Sequence, residues 1–257
     1  QLMTPNNINE LNEFDESPLF IACMKGLEDI VKEILQKMKP IHQEFEDIDD
    51  ESTKNPVDAA SANGYLSIVK LLLENGLKGS KISLFRAIHR GYTDIIKVLL
   101  QYQVDLLDTR TFQGFTPLYL ACQSGNIDLV KLFLSKGIDD QSNEDGNTPL
   151  ILSYRYPSLY VKEIPLDCQE NSYYVDAEPT LEDSPFKETN FLIASLLLKH
   201  NANVHLQNNE GLTAAMIATR HCQYSFLNLL LTYEPQLVHT YTEDCVSLLH
   251  LLLYWIK

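Results

Sequence analysis

No apolar run in this chain is long enough to cross a membrane. The longest apolar-rich stretch, Val246 to Ile256, falls short of the roughly 18–20 residues of a spanning helix and is interrupted by His250. No secretory leader pattern opens the chain, and its start at Gln1-Leu2-Met3 reads as that of an excised fragment. Positive charge is scarce: 20 Lys and Arg stand against 35 Asp and Glu, for a net charge of −15. Neutralising phosphates takes a surplus of cations, so nucleic acid is excluded as a bulk partner and an anionic bilayer equally. Cysteine is scarce too. Cys23, Cys122, Cys168, Cys222 and Cys245 are odd in number and irregular in spacing, which argues against a disulfide framework. A cytoplasmic or other reducing intracellular compartment is expected.

The motifs of catalysis are also missing. There is no phosphate-cradling Gly-rich loop, no Gly-x-Ser-x-Gly elbow, no His-Glu-x-x-His and no Cys-x-x-Cys. No catalytic residue, cofactor or metal is expected, and His89, His200, His205 and His221 show no metal-ligand spacing. A cysteine-dependent activity is the one enzymatic alternative. Cys23 and Cys122 each follow a small Ala and read as core residues. Cys168 has the most exposed setting, and a thiolate there needs a base such as His200 or His221.

What is present is a repeat. With 45% hydrophobic and 21% charged residues the composition is that of an ordinary globular protein. The clearest copy runs from Thr116-Pro117-Leu118-Tyr119-Leu120-Ala121 through Gly125 to Ile127-Asp128-Leu129-Val130-Lys131-Leu132-Phe133-Leu134. It reads as two short helices. Thr116 caps the first, Pro117 sits where a missing N–H costs nothing, and Gly125 makes the turn. The register recurs at Ser17-Pro18-Leu19 with Gly26, at Asn55-Pro56-Val57 with Gly64, and around Ala87 with Gly91. These glycines are 38, 27 and 34 residues apart, a mean of about 33. Further openings stand at Thr148-Pro149-Leu150, Thr213-Ala214 and Ser247-Leu248-Leu249-His250.

This pattern resembles the ankyrin repeat, whose first helix opens Thr-Pro-Leu-His. The resemblance implies an all-α solenoid of six to seven helix-turn-helix repeats opening near 17, 55, 82, 116, 148, 213 and 247, joined by short finger loops. Residues 1–16 form an acidic lead-in and 17–257 the repeat domain. The family's His occurs only at His250; Phe20, Asp58, Phe85, Tyr119, Ile151 and Met216 replace it elsewhere, which weakens the turn bracing. No helix pair of this size buries its own apolar face, so the copies must stack.

Three departures carry information. The long first spacing holds an acidic finger, Glu44-Phe45-Glu46-Asp47-Ile48-Asp49-Asp50-Glu51, which is either a solvated loop or a binding element anchored by Phe45 or Ile48. The short second spacing leaves Glu74 to Lys81 without room for a projecting hairpin, so the groove there should be shallower or bent. A long insertion, about 155–190, separates the two helices of the fifth repeat. It carries Tyr156, Tyr160, Tyr173 and Tyr174. Such a segment is either a tolerated surface loop or a partner contact, and Leu159-Tyr160-Val161 and Tyr173-Tyr174-Val175 have the pattern of short paired strands.

The resemblance further implies binding of another protein along a concave face of finger tips and first-helix ends. Matched by position, the fingers offer Phe112, Gln113 and Phe115, then Glu144, Asp145 and Asn147, then Asn209, Glu210 and Leu212. The helix ends offer Met24, Lys25, Ala62, Asn63, His89, Arg90, Gln123, Ser124, Arg155, Tyr156, Arg220 and His221. Phe112 and Phe115 are hot-spot candidates. The cations among the helix-end residues form either a row for an acidic partner segment or scattered solubilising charge. The expected function is that of a monomeric, non-catalytic interaction scaffold. The alternatives are a substrate-recruiting part of a larger enzyme, or a secreted bacterial effector acting in a host cytosol. Residues 1–16, 42–54 and 155–190 carry −4, −5 and −5 of the charge, so the acidity belongs to the additions and leaves the repeats nearly neutral.

Overall fold

The computed structural model describes residues 10–38, 54–137, 142–153, 187–221, 223–241 and 247–255. The chain divides into two compact units, Gln1–Pro117 and Leu118–Lys257. The described residues form short α-helices in pairs, joined by turns and hairpins, with two isolated β-bridges. The first helices are α1 (Pro18–Met24), α3 (Pro56–Ala62), α5 (Lys81–Arg90), α7 (Pro117–Gln123), α9 (Pro149–Leu152), α11 (Ala214–Arg220) and α13 (Leu248–Trp255). The second helices are α2 (Glu28–Lys37), α4 (Leu66–Glu74), α6 (Thr93–Tyr102), α8 (Ile127–Ser135), α10 (Lys187–Lys199) and α12 (Tyr224–Tyr233).

The sequence dictates where these helices start. Ser17, Asn55, Ser80, Thr148 and Thr213 each stand in extended backbone and accept an N–H of the first turn through a side-chain oxygen. Pro18, Pro56 and Pro149 occupy the first helical position, where no N–H is missed. One turn bond then repeats five times. The residues that open the second helices, Leu27, Tyr65, Tyr92, Asn126 and Gln223, donate their N–H to the carbonyls of Ala22, Ala60, Ala87, Ala121 and Ala218 at 2.8–3.2 Å. The Ala and Gly that recur in the sequence thus belong to one hydrogen-bonded turn.

Each unit has its own core. In the first, α1 lies against α3 and α3 against α5, while α2 meets α4 and α4 meets α6. Leu19, Val31, Ile34, Val57, Ile68, Leu72, Leu84, Ile96 and Leu99 are buried there. In the second, α8 meets α10, α10 meets α12, and α9 and α13 both contact α11. Its buried residues include Leu129, Phe133, Leu150, Ile193, Ala194, Met216, Leu230 and Leu248. Cys23 and Cys122 are buried thiols outside any disulfide, and burial pushes the Cys23 thiol up to about 12, so it stays protonated.

Residues at the family's His position brace neighbouring repeats. Asp58, in α3, accepts from Ser80 N–H at 2.9 Å and from the Ser80 hydroxyl at 2.5 Å. Tyr119 shares a hydrogen bond of 3.5 Å with Asn143 Nδ2. His250 keeps a local link to the Ser247 hydroxyl through Nδ1 at 2.6 Å. At two of the six substituted positions, Asp58 and Tyr119, a side chain reaches forward into the next repeat and supplies the bracing.

The third repeat has no hairpin. After α4, residues 77–80 run straight to α5, held by side chains from both sides. Asn55 Nδ2 donates to Lys78 O at 2.9 Å, while Gln103 accepts from Gly79 N–H and donates to Gly79 O at 2.8 and 2.9 Å. Helix α5 is ten residues long where α1, α3 and α11 have seven, because its cap moves forward to Ser80. Helix α9 has four residues, and α10 begins at Lys187, three residues before the expected end of the insertion at Asn190. Residues 154–186 and the acidic connection 39–53 lie outside the described residues.

Candidate functional site

The finger hairpins share one hydrogen-bond plan. In finger 143–147, Asn143 N–H donates to Asn147 O and Gly146 N–H to Asn143 O, while Asn143 Oδ1 accepts from the N–H groups of Asp145 and Asn147. Finger 208–212 repeats this plan with Asn208, Gly211 and Leu212. Finger 111–115 uses Thr111, whose hydroxyl accepts from Phe115 N–H, with Gly114 at the turn. A side chain that folds onto its own backbone fixes such a turn before any neighbour is added.

A further finger stands where only an acidic lead-in was expected. Asn12 N–H donates to Glu16 O, Asp15 N–H donates to Asn12 O, and Asn12 Oδ1 accepts from the N–H groups of Phe14 and Glu16. Asp15 takes the left-handed position that glycine fills in the other fingers, at φ 58°. The signal was legible: each of these hairpins opens with Asn or Thr five residues before the helix cap, Asn12 before Ser17, Thr111 before Thr116, Asn143 before Thr148 and Asn208 before Thr213. Asp15 in the glycine's place masks it.

Consecutive fingers of the second unit lock together. Asn209 N–H donates to Asp145 O at 2.9 Å, Asn209 Nδ2 to Glu144 O at 2.8 Å, and Asn208 Nδ2 to Asn147 Oδ1 at 3.2 Å. The backbone of Asn209 lies so close to Gly146 that a Cβ there would fall 2.8 Å from its nitrogen. Glu144, Asp145, Asn209 and Glu210 keep exposed side chains on this rigid pair, an acidic tip. Asn147 and Leu212 are half-buried.

The two phenylalanines of finger 111–115 part company. Phe115 is 9% exposed and turns inward, whereas Phe112 is 86% exposed and projects beside exposed Gln113. Among the helix ends, Met24, Lys25, Asn63, Arg90 and Ser124 are exposed, and Ala62, His89 and Gln123 are half-buried. Burial and the charge of Arg90 hold the His89 imidazole below its usual value, so Arg90 supplies the positive charge of that helix end at neutral pH. Arg220 pairs with Glu210 Oε2 at 3.2 Å, joining its helix end to the finger tip, and His221 beside it is half-buried. Arg155, Tyr156, Tyr160, Tyr173 and Tyr174 lie outside the described residues, with Cys168, Cys222 and Cys245. Among the described residues no helix is long and apolar enough to cross a membrane, and no group of His, Cys, Asp and Glu is placed to hold a metal ion.

A family model of ankyrin repeats in three copies matches residues 1–83 and again 84–162. The chain belongs to the ankyrin-repeat family. Its sequence is 24% identical over 234 residues to the ankyrin repeat and KH domain-containing protein mask-1 of Caenorhabditis elegans, covering 88% of this chain and 9% of that protein. It is 28% identical over 170 residues to a putative ankyrin repeat protein of fowlpox virus, covering 63% of this chain and 49% of the other. Over 68 residues it is 35% identical to human protein phosphatase 1 regulatory subunit 27, covering 26% and 44%. The chain thus spans less than half of each of these relatives. Among solved structures, the ankyrin repeat domain of Bcl-3 matches with a TM-score of 0.69 at 20% identity, covering 92% of this chain and 93% of that one. An ankyrin repeat domain from Acinetobacter baumannii matches with a TM-score of 0.62 at 20% identity, covering 84% and 97%. These two show the ankyrin fold. Ankyrin repeats are protein–protein interaction modules.

Proposed function

We propose that this chain is a non-catalytic scaffold that binds a partner protein through its finger tips and first-helix ends. The observation that carries the reading is Phe112, a large aromatic side chain 86% exposed on a hairpin fixed by its own hydrogen bonds. Holding an apolar anchor in place before binding avoids the ordering cost that a flexible loop would pay on association. Aromatic anchors dominate the energetics of protein interfaces. Cys23 and Cys122, buried as thiols outside any disulfide, fit a reducing intracellular compartment.

Affinity capture with mass-spectrometric readout tests the reading. Phe112→Ala should weaken retention of a specific partner by tenfold or more, about 1.4 kcal/mol. Tyr102→Ala, which removes an exposed aromatic from a second helix, should leave retention intact. Equal partner sets for both variants would overturn it. The small share of the mask-1 and fowlpox relatives that this chain spans favours a second reading alongside, in which the same surface recruits a substrate for a larger protein.

A further inference from the structure

The outer side of α10 differs from that of α2 and α6. Helix α2 carries the ion pairs Glu28–Lys32 and Glu33–Lys37 at 2.6 and 2.5 Å, and α6 carries Asp94–Lys97 at 3.6 Å. Helix α10 holds no charge between Glu188 and Lys199, and α12, which lies against it, holds none at all. Phe191 and Leu192 are 42% and 43% exposed on α10, and Leu196 is half-buried. Two hydroxyls turn back onto their own helices: Ser195 Oγ donates to Phe191 O at 2.8 Å, and Thr232 Oγ1 to Asn228 O at 2.7 Å. Their donors are satisfied without water, which suits a face that becomes covered.

The side chains of this face are arranged symmetrically along the helix. Glu188 and Lys199 are separated by about three turns, so they share one face. Phe191 and Leu196 lie between them, and so do Leu192 and Ser195. All three pairs have the same midpoint, between the buried Ile193 and Ala194. Two α10 helices laid antiparallel about a two-fold axis through that point set Glu188 of each against Lys199 of the other. Phe191 then faces Leu196, and Leu192 lies over the small Ser195. Glu188 and Lys199 are both exposed, and neither has an ion-pair partner among the described residues. A net charge of −15 makes copies of this chain repel wherever their acidic surfaces meet, whereas here each charge meets its opposite. The antiparallel arrangement also opposes the two helix dipoles.

We infer that two copies of this chain pair through α10, antiparallel about that axis, with the uncharged side of α12 widening the contact. Such a pairing uses the same surface on both copies, so it closes at two. One side of a 13-residue helix and its neighbour is a small interface, which makes the dimer transient. The monomer expected from the sequence is its dilute form. Pairing brings two sets of fingers into one assembly, so a partner with two matching segments is held by both. The inference goes beyond the scaffold reading and holds whichever partner the fingers bind.

Sedimentation equilibrium of the full chain tests the pairing. The wild-type chain should pass from monomer to dimer with a Kd in the micromolar range. Lys199→Glu should raise that Kd fivefold or more, because symmetry removes two ion pairs with one substitution and sets like charges face to face. Glu188→Lys should do the same. The chain carrying both substitutions should recover the wild-type Kd, since the exchange restores every opposite-charge contact. A wild-type chain that stays monomeric at high micromolar concentration would overturn the inference, as would assembly beyond two. Single variants that dimerise like the wild type would also overturn it, and so would a double variant as weak as the singles. If Lys199→Glu dissociates the dimer while captured partners are retained, the pairing and the finger surface are separate, as inferred.

Discussion

Asp58→Ala is expected to lower the unfolding free energy by about 2–4 kcal/mol, while Asp58→Asn leaves it unchanged or slightly higher at neutral pH. Asp58 is buried in α3, and so is its partner Ser80, the cap of α5. The carboxylate accepts from both Ser80 N–H and the Ser80 hydroxyl, so alanine strands a buried N–H and opens a cavity between two repeats. The loss stops short of a larger figure because the desolvation cost of the carboxylate disappears with it. Asparagine keeps an oxygen for Ser80 N–H and offers an amide to the hydroxyl, without the buried charge.

The pH dependence separates the two replacements. Burial pushes the Asp58 carboxyl above its ordinary value of 3.8, against the opposing pull of the Ser80 bonds, a Ser83 hydrogen bond and the Arg86 charge. The folded chain therefore holds this proton where the unfolded chain has released it, and the stability Asp58 contributes falls as pH rises through its folded value. Thermal melts of Asp58→Asn and wild type should coincide near pH 3.8 and separate at higher pH, with the Asn variant melting higher. A gap that widens toward acid instead would refute the sign.

Gly146→Ala is the second large effect, about 3–4 kcal/mol, read as a drop in melting temperature. Gly146 has φ 76°, and an added Cβ would lie 2.7 Å from Asn209 Oδ1, 2.8 Å from Asn209 N and 2.9 Å from Asn208 Cα. Two of these atoms are backbone and cannot rotate away. The fingers must separate, and with them go the bonds from Asn209 to Asp145 and Glu144 and from Asn208 to Asn147. Gly137→Ala isolates the strain alone: its φ is 80°, no described residue lies within 4 Å of the added carbon, and the expected cost is about 1 kcal/mol. Equal losses for the two glycines would mean that the fingers do not interlock.

The helices were legible in the sequence because their causes are local. A Ser, Thr or Asn cap followed by Pro, a small residue and then Gly spells a start, a close approach and a turn within ten residues, as at Ser17 to Gly26 and Asn55 to Gly64. The missing third hairpin was legible as well, from the short spacing between Gly64 and Gly91. What was hidden is what one repeat does to the next. Asp58 reads as a departure from the family's His, and only the folded chain shows its carboxylate 22 residues downstream on the cap of α5. Gln103 reads as an ordinary polar residue after α6, yet its amide closes the shortened connection at Gly79. Phe112 and Phe115 look equivalent in sequence, and hairpin geometry alone sends one outward and the other in. The finger at 12–16 is masked in the sequence because Asp15 stands where the other fingers have glycine.

The most direct measurement of the central claim is amide exchange on the complex of this chain with a captured partner. Protection should rise in the fingers, at residues 111–113, 144–145 and 209–210, and at the helix ends around Arg90 and Ser124. The exposed faces of α6, α10 and α12 should exchange as in the free chain. Protection confined to those second helices, with the fingers unchanged, would contradict the account.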